Sequence, residues 1–335
     1  MVSRLFSGDW EGFLVNAVHP PLGKLMIGVF TSLMGSIVGV YESTVLLMCI
    51  LSSFTSLLVY KIASELFGEK GGIIAWAAYS FDPFSIHWTV AWLDTPTLLF
   101  ITLSQYLLLK FKSGERYPFF LISTFFYGLA LMTKFHAILF IPSVLVFLKE
   151  WRKRIMFLTT FLAVFTINPQ LWIPNGLQTI IRENILVTGM SFQHVKFSPM
   201  LFLVILVEFF YRVAVGYVGE GVSPYFIPLF TFILLIWKKK LFDGLKHDLI
   251  IDWIFWSLVG ILLTPRILYP EYYYIYTIPP LSAFLASFTS DLGKNKSFRW
   301  FLVLIFLYSS LLTFVSWFIN ASCWKALLLE TLNIL

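Results

Sequence analysis

Long apolar segments follow one another through almost the whole chain, and this feature excludes a water-soluble fold. Ten of them have the length and neutrality expected of membrane spans. They are 43–66, 71–90, 94–111, 118–133, 136–149, 154–172, 225–237, 250–264, 273–289 and 300–320. Of the 335 residues, 59% are hydrophobic and 13% are charged, whereas soluble domains carry roughly 45–50% and about 25%. The sequence therefore predicts an all-α polytopic membrane protein with about ten to eleven transmembrane helices.

Two further apolar stretches, Leu22–Val38 and Met200–Gly216, are expected to lie at the membrane surface instead of crossing it. If neither crosses, 16 of the 24 Lys and Arg residues share one side, as the positive-inside rule predicts for cytoplasmic loops. Those residues are Lys61, Lys70, Lys110, Lys112, Arg116, Lys149, Arg152, Lys153, Arg154, Lys238, Lys239, Lys240, Lys246, Lys294, Lys296 and Arg299. The second stretch also contains Glu208 and Arg212, which are costly at the bilayer centre.

This topology predicts a single membrane domain, 1–335, whose polar chemistry collects on the extracytoplasmic side. That side receives an interfacial segment, 1–42, and a long segment, 173–224. Because residues 1–42 lie outside with no span before them, we expect a span upstream of the recorded start. The isolated Cys49 and Cys323 indicate neither a disulfide nor a metal site. The net charge of +6 follows from the basic loops, so a nucleic-acid partner is not expected.

The first group of candidate residues lies near the N-terminus. Asp9 and Glu11 precede His19, which stands directly before two prolines and five residues before Lys24. Proline favours the first turn of a helix, so His19 is expected at a helix start and Lys24 about one turn inside. These two side chains could hold a lipid-linked phosphate. The alternative is that the prolines only begin a helix and that the charged groups reach towards the membrane surface.

The second group lies between two spans. Asp94 stands at the outer edge of a span and is followed by Thr95 and Pro96. An acidic residue at the edge of a span indicates function, because charge in or near hydrocarbon is costly. The alternative is an ordinary helix cap. Asp82, which precedes Pro83, is interpreted as a turn or kink inside a span.

The third group consists of cations on the face that the positive-inside rule leaves poor in them. Lys134 is expected at an outer turn, with solvent exposure as its alternative explanation. Arg266 begins a tyrosine-rich run that includes Glu271 and Tyr272, and a guanidinium suits bidentate recognition of phosphate. The tyrosines could instead form an interfacial aromatic belt. Lys24, Lys134 and Arg266 are therefore predicted to form a phosphate clamp.

Other classes of activity have little support in the sequence. The chain has no GxGxxG, Walker A, HExxH or GxSxG pattern. No motif therefore indicates dinucleotide binding, nucleoside-triphosphate binding or zinc-protease activity. A transporter or flippase of an anionic lipid remains an alternative, since it could use the same cations and carboxylates. The absence of inverted halves weighs against it. Soluble activated donors such as ATP would be on the opposite side of the membrane. An active site on the extracytoplasmic face therefore indicates a donor that is carried in the membrane itself.

Several motifs, taken in order, resemble the protein O-mannosyltransferase family. They are His19-Pro20-Pro21-Leu22-Gly23-Lys24, Leu66-Phe67-Gly68, Leu93-Asp94-Thr95, Gly128-Leu129-Ala130 with Thr133-Lys134, and the stretch from Arg266 to Pro279-Pro280. This family is part of the wider GT-C class of membrane glycosyltransferases, which also includes lipid A aminoarabinose transferases. The resemblance implies a GT-C-like bundle with interfacial helices on the extracytoplasmic side.

The resemblance also implies a reaction and its partners. A sugar, mannose in that family, would pass from a dolichyl- or polyprenyl-phosphate donor to a protein Ser/Thr or another glycan acceptor on the extracytoplasmic face. The protein would lie in the cell membrane, or in the endoplasmic reticulum of a eukaryote, among membrane lipids. Glu271 and Tyr272 would join His19 and the three cations in binding substrate. A divalent metal ion is a possible cofactor, because metal dependence differs among GT-C enzymes.

One departure from the family concerns the catalytic base. Family members carry an Asp-Glu pair further upstream of the His-Pro-Pro run than this sequence extends, and its Asp takes the acceptor proton. We expect a late recorded start, while a fragment or an inactive partner subunit of a glycosylation complex are the alternatives. If the chain is complete, Asp9, with Glu11 beside it, would replace the base, and Asp94 would position the acceptor or a metal.

Overall fold

The computed structural model describes the N-terminal half of the chain almost continuously and two shorter regions after it. The residues described are 4–5, 7–14, 16–17, 19–82, 85, 93–114, 116–192, 248–263, 275–288 and the single positions 300, 303, 304 and 307. Their α-helices are α1 (Pro21–Val38), α2 (Val40–Ser80), α3 (Asp94–Gly114), α4 (Tyr117–Thr133), α5 (Ile141–Phe147), α6 (Trp151–Phe165), α7 (Gly176–Phe192), α8 (Asp248–Leu263) and α9 (Ile278–Leu285). Short 3-10 helices cover Trp10–Leu14, Phe135–Phe140, Pro169–Leu171 and Ala286–Phe288. None of these residues forms a strand, which confirms the predicted all-α class.

Most of the predicted spans coincide with helices. The segments 43–66 and 71–90 form the two arms of α2, which bends at Gly68, where φ is 80°. Glycine adopts this left-handed conformation without the penalty that a Cβ atom brings. The predicted spans 94–111 and 118–133 correspond closely to α3 and α4. Two others, 225–237 and most of 300–320, lie outside the described residues, as does Met200–Gly216.

Two helices end earlier than the hydrophobic pattern predicted, and both endings have a local cause. The second arm of α2 stops at Ser80, so Asp82 lies in a turn before Pro83, as the sequence indicated. Helix α6 stops at Phe165, seven residues before the predicted end at 172. There the side chain of Asn168 accepts a hydrogen bond from the backbone N–H of Gln170 at 3.1 Å. Such a local bond competes with continuation of the helix.

Two of the described helices, α1 and α2, are long and apolar enough to cross a membrane. Shorter apolar helices occupy Tyr117–Thr133, Phe135–Phe147 and Ile275–Leu285. Large apolar side chains are exposed on several helices, for example Leu33, Phe54, Leu121 and Leu162. Lipid-facing side chains would have this arrangement. The number of spans and the interfacial position of Leu22–Val38 stay predictions.

The centre of the bundle is formed by α3, which packs between α2 and α4. Buried polar side chains join these helices: Ser104 Oγ lies 2.9 Å from Ser123 Oγ. The amide of Gln105 donates to Ser143 Oγ at 3.2 Å. Small and polar residues allow helices to approach closely when both neighbours are surrounded by lipid.

Charge separates the two ends of α3. Lys110, near its C-terminal end, pairs with Glu65 of α2. Lys112 and Lys153 lie over the aromatic rings of Phe147 and Phe111, at 4.7 and 5.3 Å from the ring centroids. This end therefore collects several of the basic residues that were predicted to share one side. Asp94 begins the same helix, sixteen residues before Lys110, which corresponds to roughly 24 Å along the axis.

Candidate functional site

Asp94 and Lys134 are brought together by the antiparallel packing of two helices. Asp94 is the first residue of α3, and Lys134 directly follows Thr133, the last residue of α4. The short connection between Gly114 and Tyr117 makes the two helices neighbours, so the start of one meets the end of the other. At Lys134 the backbone leaves the helical conformation, with φ −153° and ψ 127°.

The two side chains form a buried ion pair. The ammonium nitrogen of Lys134 lies 2.7 Å from both carboxylate oxygens of Asp94. The hydroxyl of Tyr276, which precedes α9, donates to Oδ1 of the same carboxylate at 2.7 Å. Only 1% of Asp94 and 3% of Lys134 are exposed. Three segments that are far apart in sequence therefore meet at one carboxylate.

Burial of these charges requires a well-satisfied environment. Desolvation of an unpaired charge costs several kcal/mol per ion, and short, charge-assisted hydrogen bonds offset this cost. Asp94 has such bonds from both Lys134 and Tyr276. The Tyr276 ring also packs against Phe140, with 4.8 Å between the two ring centroids. The arrangement fixes the position of the lysine ammonium at this end of the bundle.

This geometry bears on the alternative explanations for Lys134 and Asp94. Solvent exposure, the alternative explanation for Lys134, is wrong, because its side chain is buried against Asp94. The helix-cap explanation for Asp94 has no support among the described contacts, where its carboxylate is bonded by side chains from other segments. The sequence pattern selected both residues, and the structure shows that they pair with each other.

The His-Pro-Pro motif is adjacent to this pair through Gly23 of α1. A Cβ atom at Gly23 would lie 2.7 Å from the side chains of both Leu93 and Thr133. Leu93 and Thr133 are the residues that directly precede Asp94 and Lys134. Helix α1 can therefore approach the pair only because position 23 carries no side chain. Three of the motifs that carry the family resemblance thus converge at one end of the bundle.

Lys24, the residue after Gly23, makes a second set of polar contacts next to the contact of Gly23 with Leu93 and Thr133. Its ammonium donates to the backbone carbonyl of Asn16 at 2.9 Å. It also interacts electrostatically with Glu183 of α7, a residue that the sequence analysis did not single out. The backbone N–H of His19 donates to the same Asn16 carbonyl at 3.1 Å. The loop before α1 therefore brings the two predicted phosphate-binding residues of this segment together.

Asp9 and Glu11 lie further along the N-terminal segment. Asp9 is partly exposed and pairs with Arg4 at 2.5 Å. Its other oxygen accepts from the backbone N–H of Glu11 at 3.0 Å, at the start of the 3-10 helix Trp10–Leu14. No described contact joins either carboxylate to Asp94 or Lys134. The structure therefore does not bring together all the candidate acidic residues.

The third cation of the predicted clamp, Arg266, lies outside the described residues, and so do Glu271 and Tyr272. The tyrosine-rich run does reach the site through Tyr276, which the sequence analysis did not select. The sequence feature that could have pointed to Tyr276 is its place in the motif that runs from Arg266 to Pro279-Pro280. One tyrosine of that run therefore bonds a charged group in the protein interior, and the aromatic-belt interpretation does not apply to it.

The described residues offer no set of ligands for a metal ion. No group of three or more His, Cys, Asp or Glu side chains comes together among them. Both oxygens of Asp94 are occupied by hydrogen bonds from Lys134 and Tyr276. Among the described residues, the Asp94 carboxylate is bonded by a lysine ammonium and a tyrosine hydroxyl, and no further carboxylate or imidazole joins it to hold a cation.

Comparisons with known proteins agree with this geometry. A family model described as dolichyl-phosphate-mannose-protein mannosyltransferase matches residues 18–173. The crystal structure of ArnT from Cupriavidus metallidurans in the apo state is similar to this chain, with a TM-score of 0.54 and 16% sequence identity. The match covers 90% of this chain and 55% of ArnT, so the chain spans about half the length of that protein. No curated protein sequence matches the chain.

The fold is therefore similar to the GT-C fold of ArnT, and the family model agrees with this assignment over residues 18–173. Within that class, the matched region resembles the dolichyl-phosphate-mannose-protein mannosyltransferases. It includes Gly23, Asp94 and Lys134, the three positions through which α1, α3 and α4 meet. The family resemblance that the sequence motifs indicated is confirmed.

Proposed function

We propose that this chain transfers a sugar, mannose by analogy with the matched family, from a dolichyl- or polyprenyl-phosphate donor. The acceptor is a protein Ser/Thr hydroxyl or another hydroxyl on the extracytoplasmic face. The observation that carries the proposal is the convergence of the motif segments on the buried Asp94–Lys134 pair. The opposite end of α3, where the basic residues collect, would face the cytoplasm.

Each step of this chemistry makes a definite demand on the site. The acceptor oxygen attacks the sugar carbon as the bond from that carbon to the phosphate oxygen breaks, and its electron pair leaves with the phosphate. Cations near that oxygen stabilise the developing charge. In this proposal Lys24, Lys134 and Arg266 supply the cations, and His19, Glu271 and Tyr272 complete substrate binding.

Asp94 has a different part in the proposal. Its carboxylate accepts hydrogen bonds from Lys134 and Tyr276, and the proposal assigns it no proton transfer. It instead orients the Lys134 ammonium. The proton of the acceptor hydroxyl passes to a carboxylate as the hydroxyl attacks. Among the described residues Asp9, with Glu11 beside it, is the candidate for this carboxylate, and the proposal requires it to leave its pairing with Arg4 and approach the acceptor.

One experiment tests the proposal and its alternatives. The purified chain in lipid nanodiscs is incubated with polyprenyl-phosphate [14C]mannose and a Ser/Thr-rich peptide, and labelled peptide is counted. Label in the peptide is expected, with a rate that the Lys134→Met variant lowers. Donor binding without transfer would support the inactive partner subunit. Movement of the labelled lipid between leaflets of a liposome without transfer would support a flippase, and either result would overturn the proposal.

A further inference from the structure

Gln170 connects the end of α6 to the loop that precedes the His-Pro-Pro motif. It is fully buried in the 3-10 helix Pro169–Leu171. Its side-chain amide donates to the backbone carbonyl of Phe13 at 2.8 Å. The same amide lies 3.4 Å from the carbonyl of His19. These partners are more than 150 residues away in sequence.

The orientation of this amide is itself fixed. Gln170 follows Pro169, and its backbone N–H donates to the side-chain oxygen of the buried Asn168 at 3.1 Å. The Asn168 amide nitrogen also lies 3.5 Å from Gln170 Oε1. In each of the two side chains the oxygen therefore accepts a hydrogen bond and the nitrogen donates one. A buried polar group with this much local support is preorganised for its distant partner.

The loop between Phe13 and His19 is held from two directions. Gln170 bonds the carbonyls at the two ends of the loop, and Lys24 bonds the carbonyl of Asn16 in its middle. Asn16 has a φ of 55°, a left-handed conformation that this loop requires. The position of the Lys24 ammonium therefore depends on a loop whose ends Gln170 fixes.

We propose that Gln170 is a positioning residue that holds the loop 13–19 and thereby presents His19 and Lys24 to an anionic phosphate group. The inference rests on the proposed function for the identity of the phosphate, which is that of the lipid-linked donor. Gln170 does not touch the donor, and it acts through the loop alone. Loss of its amide donor releases two backbone carbonyls and loosens the segment on which both candidate ligands depend.

The test compares two substitutions of the same kind. Gln170→Met removes the amide donor and keeps a side chain of similar length. Gln105→Met does the same at another fully buried glutamine, whose amide bonds Ser143 in the middle of the bundle. Both variants lose buried side-chain hydrogen bonds, those of Gln170 to the carbonyls of Phe13 and His19 and that of Gln105 to Ser143, so a general loss of stability affects both. Effects seen only in Gln170→Met belong to the loop.

Amide hydrogen exchange gives the first measurement, independent of any activity. Peptides covering residues 12–20 should exchange about tenfold faster in Gln170→Met than in the wild-type chain, because the loop loses its hydrogen bonds from the Gln170 amide. The same peptides should be unchanged in Gln105→Met. An unchanged rate in Gln170→Met, or an equal increase in both variants, would overturn the positioning role.

Binding and kinetics give the second measurement. The Kd for farnesyl phosphate, a short polyprenyl phosphate, should rise about 3- to 10-fold in Gln170→Met only. In the transfer assay KM for the donor should rise similarly, while kcat stays within about twofold. Unchanged Kd together with faster exchange would overturn the link to phosphate. A wild-type chain that binds farnesyl phosphate but transfers no sugar would overturn the proposed function and leave this link supported.

Discussion

At the scale of single residues, Asp94 is expected to affect both stability and activity. Asp94→Asn leaves the Lys134 ammonium buried without its counter-charge. Breaking a buried pair in this way costs about 3–5 kcal/mol, so thermal unfolding in detergent should occur at a clearly lower temperature. Sugar transfer should fall by at least about 100-fold if the pair orients a cation for the phosphate.

A double variant separates these two effects. Asp94→Asn with Lys134→Met removes the unpaired charge, and replacing a buried ion pair by groups of similar volume is often close to neutral. The double variant should therefore regain much of the lost stability and none of the lost transfer. If transfer returned together with stability, the pair would serve the fold alone, and the role assigned to Lys134 would be wrong.

Tyr276 offers a second prediction at this scale. Tyr276→Phe removes one hydrogen bond to a charged carboxylate, and such bonds contribute about 1.5–3 kcal/mol. The matched control is Tyr127→Phe, at another fully buried tyrosine whose hydroxyl bonds the neutral carbonyl of Ala137 at 3.3 Å. That bond should contribute only about 0.5–1.5 kcal/mol. Urea or thermal unfolding of both variants measures the difference, and a larger loss in Tyr127→Phe would contradict the prediction.

The sequence revealed some of these residues and hid others for a physical reason. Asp94 and Lys134 were selected because a charged residue beside an apolar membrane segment is energetically costly and usually has a function. Their pairing could not be predicted, since each also had a local explanation and forty residues separate them. Tyr276 stood among many tyrosines, and Gln170 is a neutral side chain in a turn. A residue whose role depends on partners far away in the sequence does not alter the hydrophobic pattern around it, so the sequence pattern does not reveal it.

At the scale of helices, composition predicted the elements better than their ends. The positions of α3 and α4 followed from hydrophobic runs with charged residues on either side. The bend in α2 falls at Gly68, between the two predicted spans. The ends of α2 and α6 were misplaced, because Asp82-Pro83 and Asn168-Pro169 stop a helix while the apolar composition continues. Hydrophobicity reports burial or lipid contact, whereas helix ends depend on local hydrogen bonds.

Contact between α1 and the site gives the prediction at this scale. Gly23→Ala places a methyl group 2.7 Å from the side chains of both Leu93 and Thr133, so both must shift or the helix must move. Such overpacking costs about 1–3 kcal/mol and should displace α1 from the Asp94–Lys134 pair. Gly35→Ala is the matched control in the same helix, because its Cβ would meet Thr31 at an ordinary 3.5 Å.

The two alanine variants should therefore behave in opposite ways. Alanine favours a helix more than glycine by about 1 kcal/mol, so Gly35→Ala should leave the unfolding temperature unchanged or raise it. Gly23→Ala should lower the unfolding temperature and weaken binding of farnesyl phosphate. Equal behaviour of the two variants would mean that the approach of α1 does not depend on the missing side chain.

At the scale of the whole molecule, the bundle has two chemically different ends. Basic residues collect at one end of α3, and the ion pair with its converging motif segments occupies the other. The N-terminal segment belongs to the second end, because Gln170 bonds it just beyond α6 and Gly23 meets Leu93. Such polarity is what a membrane enzyme requires when its lipid-linked substrate is presented on only one face.

Labelling with a membrane-impermeant maleimide tests which end faces the cytoplasm. In a background without Cys49 and Cys323, single cysteines replace Lys112 and Arg152 at the basic end and Ser7 in the N-terminal segment. The positive-inside rule predicts that cysteines 112 and 152 react only in inverted vesicles and that cysteine 7 reacts only in intact cells. A cysteine at Lys239 should behave like 112, since the intervening stretch Met200–Gly216 is predicted not to cross. Reaction of 239 from the outside would mean that Met200–Gly216 crosses the membrane. Reaction of 7 from the inside would reverse the face proposed for sugar transfer.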